Sequence, residues 1–272
     1  MSDLPGRLVI LGYPVAHSLS PRIQNAALAH ANIPVRYQPL AVPPAELDLV
    51  LSDLRREGAG GNITAPHKSS FAERCDHLSE AAARAGAVNT FWMEDGKLVG
   101  DNTDIDGFIR ATERLLGGRP QGTIAILGAG GAAAAVLAAC ERWGGLRATL
   151  YNRTPARAHA LARRFGKWVH VYEHVGATLA GAQLVVNATV LGLLDHDPLP
   201  AELSDVPADA AVHDLVYRPG MTNWVRRLRA DGRRATDGLT MLVEQGAEAF
   251  TRWIGQEPDR GVMWEAVGET RD

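Results

Sequence analysis

The stretch GTIAILGAGGAAAAV, residues 122–136, decides the fold of this chain. A β-rich apolar run ends in the letters GAGG, and an alanine-rich segment of helical character follows. This is the strand, turn and helix context of the Gly-x-Gly-x-x-Gly/Ala dinucleotide fingerprint. Gly128 permits the tight turn, Gly130 lets the backbone approach a pyrophosphate, and Ala133 is the third small residue, where helix meets strand. The pattern predicts a Rossmann-type nucleotide domain, although close packing alone would use the same small residues.

The end of the next predicted strand, RATLYN (147–152), indicates which dinucleotide binds. An NAD site usually carries an acidic residue here, which binds the ribose hydroxyls. Asn152 can instead bond the ribose, Arg153 offers a planar fork for a 2′-phosphate, and Thr154 can cap the next helix while donating to that phosphate. Arg157 can reach the same place. Two solvated arginines are the alternative, but cations are disfavoured at a helix start unless an anion is present, so the pattern favours NADP(H).

Short β-rich runs alternate with helical segments along nearly the whole chain, which predicts an α/β fold with parallel sheets. A strand pair turning at Glu94-Asp95-Gly96 precedes a new helix near Asn102, and the alternation restarts at residue 122. We therefore predict two domains: an N-terminal α/β domain, residues 1–103 plus about 239–272, and the nucleotide domain, residues 104–238. The last helix is expected to begin near Leu239 and to pack on the first domain.

Charge and composition narrow the ligand class. The 28 basic and 31 acidic residues give no electrostatic argument for nucleic acid or an anionic membrane. No apolar run approaches a membrane span, and the first residues lack the pattern of a secretory signal. Cys75 and Cys140 are isolated, which indicates neither a disulfide framework nor a metal site. We expect a cytoplasmic protein, monomer or homodimer, that acts on a small molecule.

In the first half, the segment GGNITAPHK (60–68) places a lysine where electrostatics disfavour one. Pro66 suits the first position of a helix, so Lys68 falls in the first turn, close to the positive end of the helix dipole. Asp104, in GDNTDIDG (100–107), likewise has no local task beyond weak dipole stabilisation. Unexplained polar residues gather at the carboxyl ends of parallel strands, where such folds bind ligands. Besides Lys68 and Asp104 this set contains Asn62, Thr64, Asn89 and Thr103.

Two serines precede the first predicted helix, in HSLSP (17–21). Ser20 is expected to be the N-cap with Pro21 at the first helical position, whereas Ser18 has no structural explanation. Both hydroxyls would flank the positive end of a helix dipole. This place suits a carboxylate group.

Taken together and in order, these segments resemble the shikimate dehydrogenase family. The resemblance covers nearly the whole chain and is carried by HSLSP, GNITAPHK (61–68), GAVNT (86–90), GDNTDIDG, GAGGA (128–132), NRT (152–154), NAT (187–189), DLVY (214–217) and GLTMLVEQ (238–245). It implies that the N-terminal α/β domain is a substrate domain, which faces the Rossmann-type NADP-binding domain across a cleft. It also implies reversible NADPH-dependent reduction of 3-dehydroshikimate to shikimate, with Lys68 and Asp104 as the catalytic pair.

The resemblance also implies two sets of binding residues. The implied substrate contacts are Ser18, Ser20, Asn62, Thr64, Asn89, Tyr217 and Gln245. Thr189, Leu215 and Gly238 are the implied additions to the NADP contacts, which then comprise Gly128, Ala129, Gly130, Gly131, Ala132, Asn152, Arg153, Thr154, Arg157, Thr189, Leu215 and Gly238. The residues leave open whether the substrate is shikimate, quinate or an amino-substituted analogue, and whether lysine or aspartate handles the hydroxyl proton. A catalytically silent NADP-binding sensor is the alternative from another class.

Overall fold

The computed structural model describes residues 4–194 and 196–268. By packing density the chain divides into two compact units, one formed by Met1–Gly107 with Leu242–Asp272 and the other by Phe108–Met241. Within the described residues, no helix is long and apolar enough to cross a membrane.

The first unit contains a six-stranded sheet in the order β2-β1-β3-β5-β6-β4. Its strands run parallel, except that β5 is antiparallel to both neighbours, β3 and β6. The elements up to the boundary are β1 Leu8–Gly12, α1 Ser20–His30, β2 Tyr37–Ala41, a 3₁₀ turn Pro44–Glu46, α2 Leu47–Arg56, β3 Gly60–Ile63, α3 Lys68–Ala72, β4 His77–Leu78, α4 Glu80–Ala85, β5 Thr90–Glu94, β6 Lys97–Asp101 and α5 Asp104–Leu116.

The second unit contains a fully parallel six-stranded sheet in the order β12-β11-β10-β7-β8-β9. Strand order reverses between β7 and β10, as in a doubly wound nucleotide fold, and ligands bind at such a switch point. The elements are β7 Thr123–Leu127, α6 Gly131–Trp143, β8 Arg147–Tyr151, α7 Pro155–Phe165, β9 Val169–Val171, α8 Val175–Leu179, β10 Leu184–Asn187, β11 Ala211–Asp214, α9 Asn223–Ala230 and β12 Ala235–Thr236. The predicted α/β class with a Rossmann-type sheet is confirmed.

Each unit has its own apolar core. In the first, the rings of Phe71 and Phe91 are tilted to each other with centroids 5.0 Å apart, in one cluster with buried leucines of β1 and α2. In the second, buried Trp224 packs with the apolar residues of β10 and β11. The first turns of α6 are almost entirely alanine and buried, which lets this helix lie close to the sheet.

The helix predicted to end the chain is not the last one. α10, Leu239–Ile254, begins where expected, but a further helix, α11 Arg260–Ala266, follows it. The carboxylate of Asp259 caps α11 by accepting from the backbone N–H groups of Gly261 (2.7 Å) and Val262 (3.3 Å). The prediction missed α11 because seven residues give too little apolar periodicity to recognise.

Candidate active site

Lys68 and Asp104, which are thirty-six positions apart in sequence, form an ion pair. Lys68 Nζ donates to Asp104 Oδ2 across 2.6 Å, with 19% of the lysine side chain and 7% of the aspartate side chain exposed. The negative partner explains how α3 tolerates a cation at its first residue, where the helix dipole disfavours one. Three N–H bonds are available on an ammonium, so two remain for a ligand or water.

Asn89 holds the aspartate in place. Its Nδ2 lies 2.9 Å from Asp104 Oδ1, 3.0 Å from Thr103 Oγ1 and 3.1 Å from Gln245 Oε1. Its Oδ1 accepts from the backbone N–H of Thr103 at 2.7 Å. The predicted residues Asn89, Thr103, Asp104 and Gln245 therefore meet in one buried network, which joins the start of β5 to the helices α5 and α10.

The start of α3 is fixed by a residue that the sequence did not single out. The ring Nε2 of buried His67 lies 2.7 Å from the carbonyl oxygen of Val42, and the carbonyl of His67 accepts from the N–H of Phe71. The carbonyl of Lys68 accepts from the N–H of Val88 at 2.8 Å. With its backbone tied on both sides, Lys68 has little freedom beyond the torsions of its own side chain.

The prediction that Pro66 opens α3 is wrong. The helix begins at Lys68, and Pro66 lies in the preceding turn, where the N–H of His67 donates to the carbonyl of Thr64. The Ala65–Pro66 peptide bond is cis. Thr64 itself is half-buried, and its backbone N–H donates to the carbonyl of Leu11 in β1.

The expected capping roles of the two serines are reversed. Helix α1 begins at Ser20, one residue earlier than predicted, and its N-cap is Leu19, so the Ser20 hydroxyl forms no capping bond. Ser18 Oγ instead accepts from the N–H of Ser20 at 3.2 Å. Ser18 thus has the local task that the sequence assigned to Ser20, and both remain predicted substrate contacts.

Asn62, like Asn89, is a predicted substrate contact whose amide is engaged within the protein. Its Oδ1 accepts from the hydroxyl of Tyr37 at 2.7 Å, and its Nδ2 donates to the carbonyl of Asn89 at 3.0 Å and to Thr90 Oγ1 at 3.1 Å. Both amide hydrogens and one carbonyl lone pair are therefore used. This arrangement fits a residue that supports Asn89 better than one that holds substrate. Sequence reasoning did not identify Tyr37.

In the second unit, the glycine turn has the close approaches that a dinucleotide loop requires. Gly128 adopts a φ of +109°, and a Cβ at this residue would lie 2.7 Å from the carbonyl oxygen of Ala188. Nothing lies within 4 Å of a Cβ built on Gly130, so the backbone there is open to a ligand. Gly130 is the N-cap of α6, and Gly131 and Ala132 form its first turn, where backbone N–H groups lack helical partners.

Asn152, Arg153, Thr154 and Arg157 all follow the end of β8, the strand next to this turn. Asn152 Oδ1 accepts from the N–H of Ala129 at 3.1 Å, and its Nδ2 donates to the carbonyl of Thr154 at 2.9 Å. Thr154 is the N-cap of α7, but its hydroxyl makes no capping bond, so that part of the prediction is wrong. The start of α7 is instead held by the bond from Asn152 to the Thr154 carbonyl and by Pro155 at the first helical position.

The arginines suit an anionic ligand. Both the Arg153 and Arg157 side chains are exposed, and neither forms a hydrogen bond or ion pair with any residue in 4–194 or 196–268. Two unneutralised guanidinium groups beside the open backbone of the glycine turn fit a phosphate of a bound nucleotide.

The remaining predicted contacts of this unit lie at the carboxyl ends of β10 and β11. The N–H of Leu215 donates to the carbonyl of Asn187 at 2.9 Å, and half-buried Thr189 donates to Asn187 Oδ1. A Cβ at Gly238 would lie 2.2 Å from the carbonyl oxygen of Leu215, so only glycine fits there. Tyr217 is half-buried three residues beyond the end of β11.

Comparison with known proteins agrees with this arrangement. Residues 10–91 match the shikimate dehydrogenase substrate binding domain, and residues 238–267 match the shikimate 5′-dehydrogenase C-terminal domain. The chain is 45% identical to the NADP(+) shikimate dehydrogenase of Rubrobacter xylanophilus, over 95% of this chain and 94% of that one.

Solved structures are similar over nearly the whole chain. Shikimate dehydrogenase from Aquifex aeolicus has a TM-score of 0.90 at 33% identity and covers 99% of this chain and 100% of its own. The Thermus thermophilus enzyme, in complex with NADP(H) and shikimate, has a TM-score of 0.86 at 40% identity, covering 96% of this chain and 98% of its own. The chain therefore belongs to the shikimate dehydrogenase family.

Proposed function

We propose that this protein catalyses the reversible NADP-dependent interconversion of 3-dehydroshikimate and shikimate. The observation that carries the proposal is the 2.6 Å ion pair of Lys68 and Asp104, in a buried network of the unit that matches the family's substrate domain. Membership of the family and relatives bearing that activity as their name support the same conclusion.

The residues of the first unit suit proton transfer at a ring oxygen. The Lys68 ammonium has N–H donors left over from its bond to Asp104, and these would stabilise and then protonate an alkoxide forming at a reduced ketone. Asp104 aims the ammonium, while Asn89 holds Asp104 through its second oxygen. In the oxidative direction the same pair would accept the hydroxyl proton.

The residues of the second unit fit the dinucleotide. The glycine turn and the start of α6 would hold the pyrophosphate, and Arg153 with Arg157 would hold the 2′-phosphate. A bound nicotinamide supplies the hydride chemistry that no side chain offers. The side chains of this unit bind and orient it, and a predominantly NADP-specific enzyme is expected because Asn152 and Arg153 stand where an NAD site has an acidic residue.

The decisive experiment substitutes the lysine. We expect Lys68→Met to lower turnover by about two orders of magnitude or more, since it removes the group that stabilises developing charge. NADPH binding, measured by the fluorescence of the reduced cofactor, should stay unchanged. Lys97→Met is the matched control, because Lys97 is exposed at the start of β6 and its loss changes charge equally. Similar turnover in the Lys68 and Lys97 variants would refute the assignment.

Substrate choice is tested by absorbance assays of the wild type with shikimate and quinate, each with NADP and with NAD. Activity chiefly with shikimate and NADP is expected. Activity chiefly with quinate would move the assignment to the sister reaction, and no activity in any pairing, with NADP still bound, would favour a sensor. We also propose a cytoplasmic monomer or homodimer, to be measured by light scattering and by cell fractionation.

A further inference from the structure

On one side of β7, the strand that leads into the nucleotide turn, the next two strands end in a pair of buried polar residues that none of the proposed contacts includes. Asn187 ends β10 and Asp214 ends β11, and the two are directly opposite in the parallel register. Asn187 Nδ2 donates to Asp214 Oδ1 across 2.8 Å, and both residues have no measurable exposure. The sequence showed only their membership of the NAT and DLVY segments.

Asp214 is a buried carboxylate stabilised by neutral donors. Its Oδ1 also accepts from the N–H of Val216 at 3.1 Å, and its Oδ2 accepts from Thr222 Oγ1 at 2.7 Å. Among residues 4–194 and 196–268, no lysine, arginine or histidine forms an ion pair with it. Burial, reinforced by the charge of nearby Asp237, raises the pKa of Asp214 to about 6, while its three donors oppose that rise.

Asp214 sets the orientation of the Asn187 amide. One hydrogen of Asn187 Nδ2 goes to Asp214, and the other goes to the carbonyl of Leu191 at 3.1 Å. The amide oxygen must then face the opposite way, where it accepts from both the N–H (3.0 Å) and the hydroxyl (2.6 Å) of Thr189. The Thr189 hydroxyl in turn accepts from the N–H of Leu191 at 3.1 Å. A flipped Asn187 amide would lose its own bonds to Asp214, Leu191 and Thr189.

The segment held in this way forms one wall of the nucleotide turn. A Cβ at Gly128 would lie 2.7 Å from the Ala188 carbonyl oxygen and 3.2 Å from Thr189 Cγ2. Residues 188–191 therefore lie against the glycine loop, between β7 and β10, where the strand order reverses. In a doubly wound sheet the two nucleotide halves bind on either side of that point. Arg153 lies on the β8 side, which leaves the β10 side for the nicotinamide half.

We propose that Asp214 is a positioning residue, which acts through Asn187 to hold residues 188–191 in the shape that binds the nicotinamide half of the cofactor. The proposal rests on the NADP-dependent function argued above. It assigns Asp214 no contact with cofactor or substrate, and its effect is on affinity for one half of the dinucleotide.

The test compares two ligands by equilibrium binding: NADPH, and adenosine 2′,5′-bisphosphate, which carries the 2′-phosphate half alone. For Asp214→Ala we expect NADPH to bind about tenfold more weakly, the size of effect typical of residues that act through others. Affinity for the bisphosphate should change less than twofold. Asp214→Asn should keep NADPH affinity within about threefold of the wild-type value. Its amide oxygen still accepts from Asn187 and Val216, while its amide nitrogen donates to Thr222.

Controls separate this effect from misfolding and from failure of the proposed function. Arg153→Met should weaken both ligands, and Asp209→Ala, an exposed carboxylate of the same unit, should weaken neither. If Asp214→Ala does not fold, Asn187→Ala tests the same contact from the other strand. Equal loss of both ligands, or unchanged NADPH affinity, would overturn the proposal. Wild-type protein that binds neither ligand would instead overturn the NADP assignment.

Discussion

His213 and Asp214, adjacent at the end of β11, are expected to change the free energy of unfolding in opposite directions as the pH falls. The ring of fully buried His213 stacks on Phe108 with centroids 5.2 Å apart, and its Nδ1 lies 3.0 Å from Thr112 Oγ1. Burial lowers the pKa of His213 from 6.5 to about 3. Burial also raises the pKa of its neighbour Asp214 from 3.8 to about 6. Both shifts follow from the cost of placing a charge in the protein interior.

For the histidine, acidification destabilises the fold. Below pH 6.5 His213 binds a proton in the unfolded chain but stays neutral in the folded protein. The free energy of unfolding therefore falls as the pH falls towards 3. At 1.36 kcal/mol per pH unit, the 1.5 units between 6.5 and 5 amount to about 2 kcal/mol. This loss is absent at pH 8, where both states are neutral at this residue.

For the aspartate, acidification stabilises the fold. Between pH 3.8 and about 6, folded Asp214 holds a proton that the unfolded chain has released, so stability falls as pH rises through this window. The full cost above pH 6 is roughly 3 kcal/mol, and at pH 5 it is roughly 1.6 kcal/mol. Going from pH 8 to pH 5 therefore recovers about 1.4 kcal/mol, which offsets most of the histidine effect.

Urea unfolding at pH 8 and pH 5, followed by tryptophan fluorescence, measures both effects with His213→Asn and Asp214→Asn. From pH 8 to pH 5, the free energy of unfolding of His213→Asn should end about 2 kcal/mol higher, relative to its own value at pH 8, than that of the wild type does. For Asp214→Asn it should end about 1.4 kcal/mol lower on the same comparison. Packing losses cancel, since each variant is compared with itself. Three parallel pH profiles would refute the reasoning.

Three further changes test other parts of the molecule. Tyr37→Phe removes the buried donor to Asn62, so the free energy of unfolding in urea should fall by about 1–2 kcal/mol, and an unchanged value would contradict the role given to that bond. Arg260→Met cuts the 3.1 Å contact of α11 with buried Glu244 on α10, and urea unfolding should register a loss of about 1–3 kcal/mol. Burial raises the pKa of Cys75 to about 12, so a disulfide reagent should react with the native thiol at least about a hundredfold more slowly than in urea; equal rates would exclude this burial effect.

The parts of the fold that sequence predicted are those whose signal is local. The glycine turn at 128–131, the β5–β6 hairpin and the start of α10 each follow from neighbouring residues, because turn glycines, alternation and helical periodicity act over a few positions. The predicted cap of α1 and the predicted start of α3 at Pro66 were wrong because both were judged from neighbouring residues alone. A shift of one or two residues in a helix start depends on tertiary packing, which local preference does not report.

The contacts of the candidate site that sequence missed are long-range. Nothing in the sequence pairs Tyr37 with Asn62 or Asn187 with Asp214. The first bond reaches from β2 to β3 across β1, the second joins the neighbouring strands β10 and β11, and both depend on a register set by the whole sheet. Asn187 and Asp214 did carry a usable signal. Both are polar residues at the carboxyl ends of strongly apolar runs. Asn62 and Asp104 were selected by this same criterion, because such folds bind ligands at the carboxyl ends of parallel strands.

Asp104 and Asp214 show how one side chain takes different tasks in the two units. Asp104 faces the ammonium of Lys68, which stabilises its negative charge. The same ammonium would also contact a reacting oxygen of the substrate. Asp214 faces only neutral donors, which makes its hydrogen-bond geometry its useful property and its charge a cost. Replacing a carboxylate with an amide removes charge but keeps an acceptor. It follows that this replacement should impair chemistry at residue 104, whereas at residue 214 it should preserve cofactor binding and stabilise the fold at neutral pH.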